Sequence, residues 1–376
     1  MRQQRLLMLV FVLVLSLASL RPADAATGGG GSVCGAVPAR VMRCLARFRN
    51  DSVRGARRPY GLGPASIKSA YNFTTDPQAG QGRTIAIVSA YNAPHVEGDL
   101  SVFSRQYGLP ACTTANRCFL KVSQTGSTST YPQTDPGWAL ETSMDVEWAH
   151  AIAPAAEILV VEAKTASISN LFRAEDYAKA HAQYVSNSWG GSELSSEHSY
   201  DSHFAQTGVS FFVASGDDGL GAEYPSSSPN VISVGGTKLS GVGSSSFTET
   251  GWNGSGGGCS RYETARSEQT NYSQYAATTC AGQRATPDVS LDADPASGVS
   301  VYDSTPYQRS SGWYSLGGTS AATPMVAGRA AVTKTTVNAR YIYGRSIRFR
   351  DITSGSNGES CRTGYDLVTG RGSWTG

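Results

Sequence analysis

From residue 84 to residue 236 the sequence alternates short unbroken apolar runs with stretches of helical period, and few folds accept that pattern. TIAIVSAY (84–91), AEILVVEA (156–163), QYVSNSWGG (183–191), VSFFVASGDDG (209–219) and NVISVGG (230–236) read as strands. VEGDLSVFSRQYG (96–108), GWALETSMDVEWAHAIAP (137–154) and SISNLFRAEDYAKAHA (167–182) read as helices, with Ser167 as an N-cap and Pro154 as a stop. Strands that are apolar on both faces are covered on both faces. Strand–helix–strand repetition then gives an α/β fold with a mostly parallel sheet and right-handed crossovers. In such sheets chemistry gathers at the carboxyl ends of the strands, here the glycine-rich turns of SNSWGG and ASGDDG. No solenoid-length repeat is visible.

A second turn has the same small-residue character. GGTSAATPMVAG (317–328) runs from glycines into an alanine-rich stretch, which presents the hydroxyl of Ser320 at the start of a helix. A serine hydroxyl is a weak nucleophile until a base takes its proton. The five histidines, His95, His150, His181, His198 and His203, lie in no tight glycine-flanked motif, and all five read as packing or surface residues. The carboxylates are more informative. Glu141 and Asp145 stand four apart on the 137–154 helix, hence on one face and one turn apart. An exposed acidic pair would be an ordinary solvated face. Trp138, Met144 and Trp148 on the same helix argue for burial, where two carboxyls can share one proton and serve as a general base. Asp217, in ASGDDG, reads as a turn aspartate or, if protonated, as a hydrogen-bond donor to a developing oxyanion.

The totals narrow the setting. With 31 basic and 29 acidic residues among 376 and a net charge of +2, nothing points to nucleic acid or an anionic membrane as partner. Arg2 and Arg5, the apolar run Leu6–Leu20 and the Ala23-Asp24-Ala25 site read as a secretory signal peptide over residues 1–25, with a secreted, extracellular product. An export route favours disulfides among the seven cysteines. Local pairing gives Cys34–Cys44, Cys112–Cys118 and Cys259–Cys280, leaving Cys361 over. Residues 26–58, glycine-rich and then basic, read as an N-terminal or short pro-segment, ahead of a single catalytic domain at 59–376.

Three motifs in order, ETSMDVEWAHAIAPAAEI, ASGDDG and GGTSAATP, resemble the sedolisins, the serine-carboxyl peptidases of the subtilisin-like fold, and especially short secreted actinobacterial members. The resemblance implies a subtilisin-like sheet and an acid-favouring endopeptidase acting on protein or peptide substrates as a monomer. It implies Ser320 as nucleophile, Glu141 as its base, Asp145 in support and Asp217 as oxyanion donor. It also implies a peptide-binding strand edge at Ser188, Trp189 and Gly190, and one structural calcium ion held by Asp351, Ile352, Gly364, Asp366 and the Arg362 carbonyl. Hard oxygen donors without a thiolate suit calcium. Three features depart from the family pattern. Only residues 26–58 stand where a large folding pro-domain is usual. The basic stretch at 329–348 is expected to weaken the packing behind Ser320. Cys361 lacks a nearby partner. Two other readings fit parts of the sequence: a non-catalytic secreted binding protein on the same fold, and an Asp-His-Ser subtilase, which needs a His-Gly helix start that occurs nowhere.

Overall fold

The computed structural model describes residues 31–35, 37–38, 41–49, 54–243, 247–344 and 347–375. The expected signal peptide lies outside these residues. Seven strands form the parallel core of one sheet: β1 (Thr84–Ala90), β2 (Phe119–Ser123), β3 (Glu157–Ala163), β4 (Tyr184–Asn187), β5 (Ser210–Ala214), β6 (Ile232–Ser240) and β7 (Val289–Asp292). Their spatial order is 2-3-1-4-5-6-7, with every neighbouring pair parallel. Ile85 lies opposite both Ile158 of β3 and Tyr184 of β4, so β1 is central and its interior is fully buried. The order reverses around β1, which opens a crevice at the carboxyl ends there.

Three helices pack on this sheet, α2 (Pro136–Ile152), α3 (Ile168–His181) and α4 (Thr319–Thr333), while α1 (Val96–Tyr107) packs outside them on α2. The fold is a single domain of subtilisin-like architecture. Element boundaries lie within two residues of the sequence expectation for all three helices read from periodicity. The Ser167 cap is a correction: Ser167 does occupy the N-cap position of α3, but its side chain makes no capping bond. It is engaged with Thr165 and Ser169 instead.

α2 starts firmly. Asp135 accepts the N–H groups of Gly137 and Trp138 at 2.9 and 3.0 Å, and Pro136 fills the first turn, where its missing N–H costs nothing. Every residue from Gly137 to Ile152 is buried. A helix buried all round must satisfy its polar residues internally. Glu147 accepts the Tyr302 N–H at 3.0 Å, and the His150 Nε2–H donates to the Pro110 carbonyl at 2.9 Å. Burial pushes His150 down to about 4, so it is a neutral packing residue at any mildly acid or neutral pH.

α4 packs against α2 and beneath β4–β7. Ala321, Ala322, Met325, Val326, Ala327, Ala330 and Ala331 are all fully buried. The packing behind Ser320 is therefore closed, contrary to the expectation drawn from the basic stretch after residue 328. That stretch contributes buried Val337 and Ile342, and Arg329 lies over the rings of Phe73 and Trp374. A hairpin of β8 (Val299–Tyr307) and β9 (Ser310–Gly317) leads into α4, and the Trp148 indole N–H ties α2 to it through the Ser300 carbonyl at 3.0 Å.

The three disulfides are those of local pairing, Cys34–Cys44, Cys112–Cys118 and Cys259–Cys280, and Cys361 is a buried free thiol. Among the described residues no helix is long and apolar enough to cross a membrane.

Several carboxyls unconnected with the cleft are also buried. Burial raises Glu175, Asp292 and Asp303 to about 8 each. Unfolded carboxyls titrate near ~4. Between these values the folded chain binds more protons than the unfolded one, so stability falls as pH rises. The stabilisation is complete below about pH 4 and is lost through about pH 8. Thermal melts from pH 4 to pH 8 should show a steadily falling midpoint; a midpoint that rises across this range would contradict the burial of these groups.

Candidate active site

Ser320 is the second residue of α4, and it is held there by two local devices. Gly318, the N-cap, has φ 93° and ψ 159°, a conformation open essentially to glycine alone. Pro324 lacks the N–H that would bond the Ser320 carbonyl one turn back. The Ser188 hydroxyl approaches that freed carbonyl at 3.4 Å.

Glu141 and Asp145 project from one face of α2, and each is only 1% exposed. Ser188 Oγ donates to Asp145 Oδ1 at 2.6 Å, while the Ser320 hydroxyl donates to the Ser188 carbonyl at 3.1 Å. The two Glu141 oxygens and Asp145 Oδ2 have no hydrogen-bond partner of ordinary geometry. The Ser320 hydroxyl and the Ala46 amide nevertheless lie near enough to Glu141 to favour its charged form. Burial, and then the neighbouring Asp145, hold the Glu141 carboxyl well above the usual range. Burial does the same to Asp145, opposed by the Ser188 hydroxyl. Two acidic groups in this position are stable with one negative charge between them.

Asp217 follows β5 in the ASGDDG turn. Its Oδ1 accepts the Thr319 N–H at 2.8 Å and the Thr319 hydroxyl at 2.9 Å, and its Oδ2 faces Arg47 Nε at 3.3 Å. Burial pushes Asp217 up to about 6 against the pull of the Arg47 guanidinium. Glu141, Asp145, Asp217 and Ser320 are thus brought together from α2, the end of β5 and the start of α4.

The expected peptide-binding edge needs a correction in detail. Trp189 is fully buried and its indole N–H donates to the Val88 carbonyl at 3.1 Å, so only its backbone borders the cleft. Gly190 contributes backbone as well, pairing antiparallel with Arg43. Ser188 contributes both its carbonyl and its hydroxyl. Sequence reasoning missed Arg43, Arg47, Asp218 and Glu223. Arg43 bonds Glu223 at 2.7 Å and also meets Asp218, and Arg47 bonds Asp218 at 2.6 Å. The basic RCLARFR run and the doubled aspartate of GDDG were visible, but nothing in the sequence says that one answers the other.

The expected calcium residues converge on one turn. Asp351 accepts the Gly364 N–H with both oxygens, at 3.1 and 2.9 Å. Asp366 Oδ2 accepts the Arg362 N–H at 3.1 Å, and its Oδ1 accepts the Val368 and Thr369 amides at 2.9 and 2.8 Å. Ile352 is buried beside them. Both carboxylates thus face the 362–369 turn, and carboxylate oxygens are the donor type that suits a hard cation. Among the described residues the group Cys112, Cys118 and His150 also has metal-ligand atoms close together, but it is excluded because its cysteines form a disulfide.

Known proteins share this arrangement of chain. The subtilase family matches residues 136–349, more than half of the chain and the region that carries all four clustered residues. The chain belongs to the subtilase family. Its relatives within that family are sedolisins. Kumamolisin of Bacillus sp. (strain MN-32) is 31% identical over 360 residues, covering 84% of this chain and 62% of kumamolisin. Sedolisin of Pseudomonas sp. (strain 101) is 27% identical over 368 residues, covering 83% of this chain and 60% of sedolisin. The chain thus spans about 60% of the length of these curated relatives. The solved structure of Pseudomonas sedolisin, a serine-carboxyl proteinase complexed with two molecules of pseudo-iodotyrostatin, superposes with a TM-score of 0.71 at 25% identity, covering 85% of this chain and 96% of that one. Sphericase, at 21% identity and a TM-score of 0.53, shares the fold.

In this member of the subtilase family the Gly318 position is a sharp test of the site. A Cβ there would overlap the Leu45 carbonyl oxygen and lie 2.8 Å from Asp217 Oδ2. Gly318→Ala should therefore lose at least about 1–3 kcal/mol in denaturant unfolding from backbone strain alone. Gly98→Ala in α1, where an added Cβ meets nothing within 4 Å, should be neutral or slightly stabilising. Equal stability of the two variants would contradict the turn geometry.

Proposed function

We propose that this chain is a secreted serine-type endopeptidase of the serine-carboxyl kind, cleaving protein or peptide substrates in acid through an acyl-enzyme on Ser320. The observation that carries the reading is the buried Glu141–Asp145 pair beside Ser320. Three histidines, His150, His181 and His203, are engaged elsewhere, at Pro110, Tyr177 and Asp176.

In this reading the Ser320 hydroxyl turns from the Ser188 carbonyl to Glu141, which takes its proton as Oγ attacks the scissile carbonyl carbon. Asp145, fixed by Ser188, shares the negative charge of the pair and keeps Glu141 basic enough to act. Protonated Asp217 donates from Oδ2 to the developing oxyanion, while Thr319 holds its other oxygen in place. Glu141 then returns the proton to the leaving amine, and water resolves the ester by the same steps. The backbone of Ser188–Gly190 takes the acyl side of the substrate as an added strand.

The opposite demands of the two acidic sites set the pH profile. The Glu141–Asp145 pair must lose one proton, so activity rises through its lower apparent pKa. Asp217 must keep its proton, so activity falls as pH climbs through about 6. A bell with its maximum on the acid side is expected in kcat/KM against pH. Asp217→Asn should lose or displace the alkaline limb in whatever activity survives. Ser320→Ala should reduce turnover by roughly four orders of magnitude or more with the fold retained. Best cleavage above neutral pH, with Glu141→Gln still active, would refute the carboxyl mechanism.

The convergence of Asp351 and Asp366 supports one structural calcium ion, with the Ile352, Arg362 and Gly364 carbonyls as further donors. Bound there, calcium would tie the strand at Phe349–Arg350 to the turn before Leu367. A ligand that binds only the native state stabilises it by mass action. Chelator should lower the melting temperature of the wild type and leave that of Asp351→Asn unchanged; a wild type indifferent to chelator would exclude calcium from this turn.

A further inference from the structure

The cleft of this structure is filled by the chain's own residues 41–48. Arg43 and Cys44 pair antiparallel with Gly190 and Trp189, on one side of Ser320. Arg47 and Phe48 pair antiparallel with Gly317 and Leu316, the residues that lead into the Ser320 turn from the other side. Leu45 and Ala46 bridge the gap between these two pairings. The Leu45 N–H donates at 3.2 Å to the Ser188 carbonyl, the same oxygen that receives the Ser320 hydroxyl. The Leu45 carbonyl oxygen lies against Gly318 beside Asp217, and the Ala46 amide lies at Glu141. Ser320 is fully buried beneath this segment.

We propose that the Leu45–Ala46 peptide bond is a self-processing site, cut by Ser320, and that residues 43–47 display the substrate that the cleft selects. The proposal rests on the serine-carboxyl reading above and adds the bond, the register and the specificity. Each half of the bond meets the group it needs: the acyl oxygen meets the Asp217 side of the site, and the amine half meets Glu141. Ser320 Oγ bonds to the Leu45 carbonyl carbon and the C–N bond to Ala46 breaks. The hydroxyl proton passes by way of Glu141 to the Ala46 nitrogen. Water then hydrolyses the ester, leaving a carboxyl-terminal Leu45 and an amino-terminal Ala46. Cys34 and Cys44 both lie on the upstream piece, so their disulfide does not hold the products together.

The register is fixed by charge. Arg43, two residues before the acyl residue, bonds Glu223 and Asp218, and Arg47, on the leaving side, bonds Asp218 and faces Asp217. Glu223 is well sheltered, so its bond to Arg43 is protected from solvent, whereas Asp218 is more than half exposed. A peptide with arginine two residues before an apolar acyl residue, and a second arginine two residues after it, matches both carboxylates. Ionic pairing of this kind discriminates strongly where one partner is desolvated.

The test uses the full chain and a synthetic peptide of residues 41–49, with Cys44→Ser to prevent oxidation. Wild type and Ser320→Ala are incubated in acid, and their amino termini and intact masses are read. Ala46 should become the amino terminus of the wild type and not of Ser320→Ala. The peptide should be cut between Leu45 and Ala46. Its Arg43→Ala form should be cut with kcat/KM lower by about tenfold or more. In Glu223→Gln that penalty should shrink. A wild type that degrades casein yet leaves the Leu45–Ala46 bond intact in both chain and peptide overturns this proposal and leaves the peptidase reading standing. A wild type that cleaves no protein or peptide removes the peptidase reading itself.

Discussion

Two carboxyl groups one helical turn apart, both withdrawn from water, are the constraint around which the site is arranged. Glu141 and Asp145 could not occupy a wholly buried helix as two independent charges, because each would lack both solvent and a counter-ion. Their stability depends on sharing charge and on the Ser188 hydroxyl, which donates to Asp145. Ser188 stands just beyond β4, so the carboxyl pair is tied to the carboxyl edge of the sheet. Its carbonyl receives the Ser320 hydroxyl, so the start of α4 is tied to the same point. One residue thereby couples the helix that bears the acids, the strand edge that borders the cleft and the turn that bears the serine.

The opposite wall is built on a contrast in environment. Asp217 is as buried as the pair, but it faces a guanidinium and the Thr319 donors, and burial outweighs them only in part. The proposed division of labour uses this difference: a pair that holds one negative charge between its two carboxyls, and a single acid that keeps its proton to about 6. The arginine that opposes protonation of Asp217 arrives on the segment that fills the cleft. In the proposed processing event, the charge state of the site and the occupancy of the cleft are therefore linked.

Five of the seven core strands, the three helices read from periodicity, the three local disulfide pairings and the spacing of Glu141 and Asp145 were legible in the chain, each from a local cause. The strands at 119–123 and 289–292 were not read, and the meeting of Glu141, Asp145, Asp217 and Ser320 was implied only by the resemblance to the sedolisins. Apolar runs without alternation require a covered strand, i,i+4 spacing puts two side chains on one face, and a glycine-rich lead-in frees a helix start. Where local signals misled, tertiary contacts had taken over the side chain. Ser167 stands at a helix N-cap yet bonds its neighbours, and Trp189 lies on the cleft strand yet points into the core, where its indole N–H finds the Val88 carbonyl. The basic tract after residue 328 looked unfit for packing because charge counts do not show that Arg329 can cover aromatic rings while alanines on the same helix are buried.

What the sequence by itself determined is the class of fold, the spacing of the two acids on α2 and the glycine turn that exposes a serine at a helix start, since all three depend on neighbours a few residues apart. Only the tertiary structure decided that Asp217 would meet Thr319, that Ser188 would join Asp145 to Ser320, and that part of the basic segment read as an N-terminal or short pro-segment would lie in the cleft with Arg43 on Glu223 and Arg47 on Asp218. Those contacts join residues from about 40 to more than 170 positions apart. Chain closure over such distances leaves no periodic trace in the sequence. It is set by which surfaces the sheet brings together and by the complementary charge they happen to carry.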